Sequence, residues 1–255
     1  TNALRRVRQY EATSNAELRR RVASALVEAK IRNSRRVLQR LSASRGESAA
    51  TAQKNASEAL LRLRKSVRRG CFGLDSLRGM EGMAAARYFK RLADFFPEEA
   101  PFRERSRRPP LDAANALLSW TYSIVLGEID ACVRLHGLDP GIGFLHALEF
   151  SMPSLALDLL EPLRAPLCDS LALALLNRSI LRKEHFRVSE EDGGTYLSDE
   201  GKPLFFMAYE RAMTRKFVCR RGEPRVDFRR VLERQVCSVV RILEGGADAD
   251  FFVMP

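Results

Sequence analysis

The sequence predicts a mainly α fold, a multi-helix lobe with one small β-hairpin. Apolar residues recur at helical intervals along most of the chain, and alternating apolar and polar positions occur in a single short patch. Hydrophobic residues make up 45% of the 255 positions, enough for a sizeable core.

Taken in order, Ser14 followed by Glu17 has capping-box spacing. Leu18, Val22, Ala25, Leu26, Ala29, Val37, Leu38 and Leu41 then form a stripe, so residues 15–41 read as one long basic helix. A loop over 42–48 leads to a second basic helix, 49–69, ending near Gly70. Residues 78–96 form a helix closed by Pro97. Glu81 shares its apolar stripe with Ala84, Ala85, Tyr88 and Leu92, which points this carboxylate inward. The alternative is a glutamate that only complements the helix dipole.

Residues 103–110, RERSRRPP, are a basic loop. Asp112 starts an apolar, central helix that Gly137 closes. Helix resumes from Cys168 to Leu181. Residues 185–189 and 195–198, flanking EEDGG, form the hairpin. Helices follow over 202–221 and 226–243. Residues 245–255 read as a flexible tail with two exposed phenylalanines, Phe251 and Phe252, either a docking peptide for a partner or a disordered end.

Charge divides the chain. The net is +11, yet residues 1–70 hold 18 Lys/Arg against 5 Asp/Glu and the remainder is slightly acidic. The first quarter therefore faces a polyanion, and its positive charge is nearly all arginine, which suits bidentate phosphate contacts. The five cysteines, Cys71, Cys132, Cys168, Cys219 and Cys237, include no CxxC pair and read as free thiols. With no apolar run approaching a membrane span and no signal peptide, a cytoplasmic location without membrane contact is expected.

The segment 141–164, GIGFLHALEFSMPSLALDLLEPLR, places His146, Asp158 and Glu161 in apolar surroundings. If Pro153 opens a helix, Asp158 and Glu161 are spaced i,i+3 on one face, where burial of both requires a cation. Arg164 is one candidate and a metal ion another. Pro162 gives no N–H to the carbonyl of Asp158, so a kink falls where the carboxylates sit. Glu81, His146 and Glu161 together offer one imidazole and two carboxylates, which favours Mg²⁺ or Mn²⁺ over zinc. The alternative makes His146 a satisfied core histidine with the acids paired to Arg164 and Arg87. No GxxxxGK[ST], GxGxxG, GxSxG or HExxH occurs, so nucleotide hydrolysis and serine or zinc peptidase chemistry find no support.

The run GLDPGIGFLHALEFSMPSLALDLLEPLR closely resembles the metal-site segment of the CRISPR-associated spacer-acquisition integrases, the Cas-one family. RGMEGMAAARYF resembles the segment around that family's metal-binding glutamate, and PPLDAANALLSWTYSIVL the helix before its GLDP turn. QYEAT with EAKIRN resembles the opening of its helical lobe, and YLSDEGKPLF its hairpin. These matches cover about 10–245 in the family's order.

The resemblance implies a metal-dependent integrase lobe over 1–244, with DNA-facing helices in 1–70 and the catalytic core and C-terminal helices in 71–244. It implies metal ligands at Glu81, His146 and Glu161, Asp158 as the neighbouring acid, and an active-site tyrosine at Tyr122. It implies joining of prespacer 3′-hydroxyl ends to a CRISPR repeat by transesterification with Mg²⁺ or Mn²⁺. Implied partners are double-stranded and branched DNA, a second copy, the Cas-two protein and the Cas-four nuclease. Phosphates would be gripped by Arg19, Arg20, Arg21, Lys30, Arg32, Arg35, Arg36, Arg62, Arg64, Arg87, Arg107, Arg108 and Arg164, helped by Arg103 and Arg105. Only TNALRRVR precedes QYEAT where the family places a β-sheet domain, so a catalytic lobe lacking that domain, a fragment, is expected. The rival readings are a casposase-like transposon integrase and a non-catalytic helical nucleic-acid-binding module.

Overall fold

The computed structural model describes residues 3–43, 50–147, 151–219, 222–246 and 249–255. It is mainly helical, with one two-stranded sheet among the described residues. Helix α1 (Ala3–Ser14) precedes the long α2 (Ala16–Ser42), and α3 (Ala50–Arg69) and α4 (Leu74–Leu92) pack back onto α2. The predicted N-cap is displaced by one residue: Asn15, not Ser14, accepts the N–H groups of Glu17 and Leu18, because Ser14 closes α1 and bonds the carbonyl of Tyr10. Most of the predicted 42–48 loop lies outside the described residues.

Asp112 caps α5 (Ala113–Leu135) through the N–H of Asn115, as its position predicts, and Gly137 takes the positive φ of 72° that follows the helix. By length and composition α5 could cross a membrane, contrary to expectation. Within this fold it instead packs against α6 (Ser154–Leu160), α7 (Ser170–Asn177) and α9 (Phe228–Leu243). Between α6 and α7 the chain leaves α geometry, with a 3₁₀ turn at Glu161–Leu163 and a π-helical stretch at Arg164–Asp169. The kink expected at Pro162 is therefore present and longer than expected. The predicted helix from Cys168 to Leu181 is confined to α7.

The hairpin forms where predicted, β1 (Phe186–Val188) pairing antiparallel with β2 (Thr195–Leu197). Helix α8 (Gly201–Thr214) stops well short of residue 221, where the pairing of Phe217 with Val226 draws the chain into extended geometry before α9.

Three buried amides tie this framework to the segment that carries His146. Gln9 donates to the carbonyls of Asp139 and Ile142 and accepts from the N–H of Asp139, all at 2.8 Å. Asn33 donates to Pro162 O and Phe252 O and accepts from Met254 N. Gln235 donates to Leu159 O and accepts from Phe252 N. A buried amide left unpaired costs about 1–3 kcal/mol, so each fixes its neighbours in one register. These bonds overturn the reading of a loose tail: Phe251 and Phe252 are buried, not exposed, and Phe252 packs against Phe217 and Phe228.

Candidate metal centre and its phosphate-facing surroundings

Asp158 and Glu161 flank one imidazole, Asp158 Oδ1 meeting His146 Nδ1 at 2.6 Å and Glu161 Oε1 lying 3.8 Å from Nε2. Helix α6 ends at Leu160, and Glu161 opens a 3₁₀ turn with right-handed helical dihedrals. Asp158, fully buried, turns to the 144–146 loop. It accepts the N–H groups of Phe144 (2.5 Å), Leu145 (2.9 Å) and His146 (3.0 Å), and it meets His146 Nδ1 at 2.6 Å. Gly143 permits this approach, because a Cβ there would stand 2.8 Å from Asp158 Oδ2 and 2.7 Å from the backbone of Ser154. Arg19 and Arg78 hold the other side of the loop, donating to the carbonyls of Phe144 and Leu145.

A carboxylate only accepts, so Nδ1 carries the proton and Nε2 is left as the donor atom of His146, 3.8 Å from Glu161 Oε1. Burial alone would lower the imidazole pKa, but the hydrogen bond and charge of Asp158, with Glu161 beyond, raise it above its ordinary value. Asp158 thus holds His146 by both its backbone N–H and its ring.

Glu81 on α4 and Glu161 meet across one cation, the Lys30 ammonium of α2. It pairs with Glu81 Oε1 and lies 2.5 Å from Glu161 Oε2. Arg164 Nε donates to the other oxygen of Glu161 at 2.9 Å. Burial would raise the pKa of this carboxyl. Arg164 and then Lys30 outweigh it and hold the group at about 2. The alternative pairing is half realised: Arg164 serves Glu161, whereas Arg87 bonds the carbonyl of Met83 and serves neither acid.

Among the described residues no three metal-ligating side chains form a ready-made cluster, because Lys30 stands between the acids. The donor set nevertheless fits a divalent ion. Two carboxylate oxygens converge on one cationic position, a tautomer-fixed imidazole nitrogen lies beside them, and Glu161 Oε2 is buried with no hydrogen bond of normal geometry despite the nearby ammonium. The Lys30 ammonium occupies the cationic position between the two acids.

Tyr122 lies one layer further in. Its ring is covered by the Arg164 guanidinium, 4.5 Å from the centroid, and its hydroxyl is 2.5 Å from Asp169 Oδ1. Burial, then the charge of Asp169, pushes the phenol pKa well above its ordinary value. Its hydroxyl is held as a donor to Asp169. Asp169, which accepts this bond, has its own carboxyl pushed up to about 6 by burial. Asp169 was missed in the sequence. Its signal was available: a lone acid in RAPLCDSLALALL, just beyond the segment singled out for the same reason.

Several predicted phosphate contacts have other partners. Arg19 and Arg164 are internal, as described, and Lys30 is in the site. Arg64 pairs with Glu28, Arg35 donates to Ser57 O and Arg36 to Pro255 O. Arg21, Arg32, Arg62, Arg107 and Arg108 are exposed, and Arg20 is half-buried.

A family model described as CRISPR associated protein Cas1 matches residues 1–211. The chain belongs to the Cas1 family. It is 37% identical over 244 residues to the CRISPR-associated endonuclease Cas1 3 of Thermus thermophilus, covering 96% of this chain and 69% of that relative. A solved Cas1 protein from Thermotoga maritima superposes with a TM-score of 0.81 at 26% identity, covering all of this chain and 74% of the other. A casposase bound to integration product shares the fold alone, with a TM-score of 0.83 at 23% identity over 96% of this chain and 70% of its own.

Proposed function

We propose that this Cas1 chain is a divalent-metal-dependent DNA endonuclease and integrase of CRISPR adaptation, joining prespacer 3′-hydroxyl ends to the CRISPR repeat. The observation that carries this reading is the convergence of Glu81 and Glu161 on one cationic position beside His146 Nε2. The printed name of the Thermus relative, an endonuclease at 37% identity, supports the same class.

Glu81, Glu161 and His146 would hold Mg²⁺ or Mn²⁺, which when bound supplies positive charge to the scissile phosphate. Asp158 fixes the His146 tautomer. Arg164 holds Glu161 ionised and in place, and is itself seated on Tyr122. The incoming 3′-hydroxyl loses its proton and forms a new P–O bond. The target strand's bond from phosphorus to its own 3′ oxygen breaks, and that oxygen leaves as a hydroxyl, so bonds balance and no covalent protein intermediate is needed. The buried, hydrogen-bonded Tyr122 agrees with a nucleophile supplied by DNA. The proposal extends to a cytoplasmic location, to a homodimer, and to Cas-two and Cas-four proteins as partners.

Strand transfer on a branched DNA with Mn²⁺, Mg²⁺ or EDTA tests it. Glu81→Ala, His146→Ala and Glu161→Ala should each abolish joining, as should EDTA, while duplex affinity stays within about twofold, since affinity comes from phosphate contacts. Loss of binding in step with loss of joining would favour the non-catalytic DNA-binding alternative.

A further inference from the structure

Another concave site is lined by Ser119 and by Arg107–Pro110 of the RERSRRPP loop, and includes none of Glu81, His146 and Glu161. It is a pocket of about 660 Å³ between that loop, α5, the β1–β2 hairpin and the start of α8. Its volume falls in the ~300–1,000 Å³ range of small-ligand sites. Arg107, Arg108 and Arg187 line it, and all three are exposed. None of the three guanidiniums has an ion-pair partner among the described residues, whereas the neighbouring Lys202 is neutralised by Asp199 at 2.6 Å. The one carboxylate of the lining, Asp192, is engaged by the Tyr196 hydroxyl, and three arginines against it leave the wall net positive and suited to an anionic ligand.

Two rings share the same wall space. Trp120 is held by Phe205, edge to face with centroids 6.4 Å apart, and Tyr196 is tethered by its hydroxyl to Asp192 at 2.5 Å. Both are partly buried and fixed before any ligand arrives. The arginines of α2 and α3 that remain exposed lie on the outer faces of helices. This pocket instead combines charge, concavity and aromatic surface, which is the chemistry of an unstacked base with its phosphate rather than of a duplex backbone. The pocket also communicates with the catalytic centre. Arg105 donates to Ser119 Oγ, which lines it, and lies 5.5 Å from the ring of Tyr122, on which Arg164 is seated.

We propose that this pocket binds one unpaired nucleotide of the DNA substrate, its base against Trp120 and Tyr196 and its phosphate against Arg107, Arg108 and Arg187. This deepens the proposed function and rests on its premise that the chain acts on DNA.

Trp120 is the single tryptophan of the chain, so its emission reports on this pocket alone. The probes are a short thymidine oligonucleotide, the same strand made of abasic residues, and thymidine monophosphate, compared at equal salt. The thymidine strand should quench Trp120 saturably, and the abasic strand, with the same phosphates, should not. Tyr196→Ala should weaken the thymidine strand by about fivefold or more, the size expected for losing one stacking partner. It should leave the abasic strand unchanged, and a melting temperature equal to wild type would show that the variant folds. Arg187→Ala should weaken both strands. The proposal is overturned if the abasic strand binds and quenches as the thymidine strand does, if Tyr196→Ala changes neither, or if the monophosphate binds as tightly as the strand. Strand transfer by wild type separates the two ideas. Joining without Trp120 quenching removes the pocket and leaves the integrase. Quenching without joining removes the integrase and leaves the pocket.

Discussion

Asp158 orders one side of the site. Its carboxylate gathers three N–H groups and Nδ1 of His146, and hydrogen bonds to an ionised acceptor contribute about 1.5–3 kcal/mol each. Asp158→Asn places an amide N–H₂ against donors. It should destabilise the fold by about 2–3 kcal/mol in urea titrations and reduce strand transfer at least tenfold. Unchanged activity would show that the His146 tautomer is not controlled by this contact. Asp169 offers a test with the opposite sign. Its folded pKa of about 6 exceeds the ordinary 3.8, so the protonated form is favoured in the folded state, and stability from this group is lost as pH rises from 3.8 through about 6. Glu161, held at about 2, contributes stability that is complete above 4.5 and is lost as pH falls towards 2. Between pH 4.5 and 6 the two are separable. Asp169→Asn should flatten the wild-type fall in melting temperature across that window, an effect of about 1.5–2 kcal/mol. An identical slope in wild type and variant would remove Asp169 as its cause.

At the scale of elements, the departure from α geometry after Leu160 shapes the site. Pro162 and Pro166 each remove a backbone donor, and the chain answers with the 3₁₀ turn and then the π-helical stretch. Arg164 and Asp169, at its two ends, both reach Tyr122, one over the ring and one at the hydroxyl. The kink was legible from Pro162. The partners of Asp158 and Glu161 were not, because the 144–146 loop and Lys30 that meet them come from elsewhere in the chain. The 144–146 loop depends likewise on close approach at Gly143. Gly143→Ala should push Ser154 and Asp158 apart and shift the His146 imidazole signals in NMR spectra, with a loss of about 1–3 kcal/mol. A variant with wild-type stability and spectra would mean that the loop has room the structure denies it.

Across the whole molecule, the basic first quarter performs two jobs. Some of its cations are internal fixings, as with Arg19 on the Phe144 carbonyl and Lys30 between the acids. Others crowd outward: the Arg32 guanidinium has its pKa lowered by burial and then by Arg64, with Arg36 and Arg68 adding to the effect, a setting that a polyanion relieves. Neutralising Arg20, Arg21 and Arg32 should weaken all duplexes alike and reduce the slope of log affinity against log salt by about one for each phosphate no longer neutralised. A sequence-selective loss, or an unchanged slope, would assign duplex binding to another surface. Arg19 is excluded from that set, since its removal would also release the loop that holds His146.

The sequence by itself determined the helical class, the positions of most helices and of the hairpin, the confinement of positive charge, and the acids and imidazole worth watching. Periodicity reports which face of a segment is apolar, and a charged group on that face is conspicuous from local residues alone. The tertiary structure decided which partner each of those groups meets. Lys30 reaches Glu81 across 51 positions, Asn33 reaches Phe252 across 219, and Arg105 draws the pocket at Trp120 towards Tyr122. The tail was misread for the same reason. Nothing near Phe251 and Phe252 in the sequence announces the buried amides of Asn33 and Gln235 that bond the backbone of Phe252 and Met254, and only packing of distant helices brings those amides together.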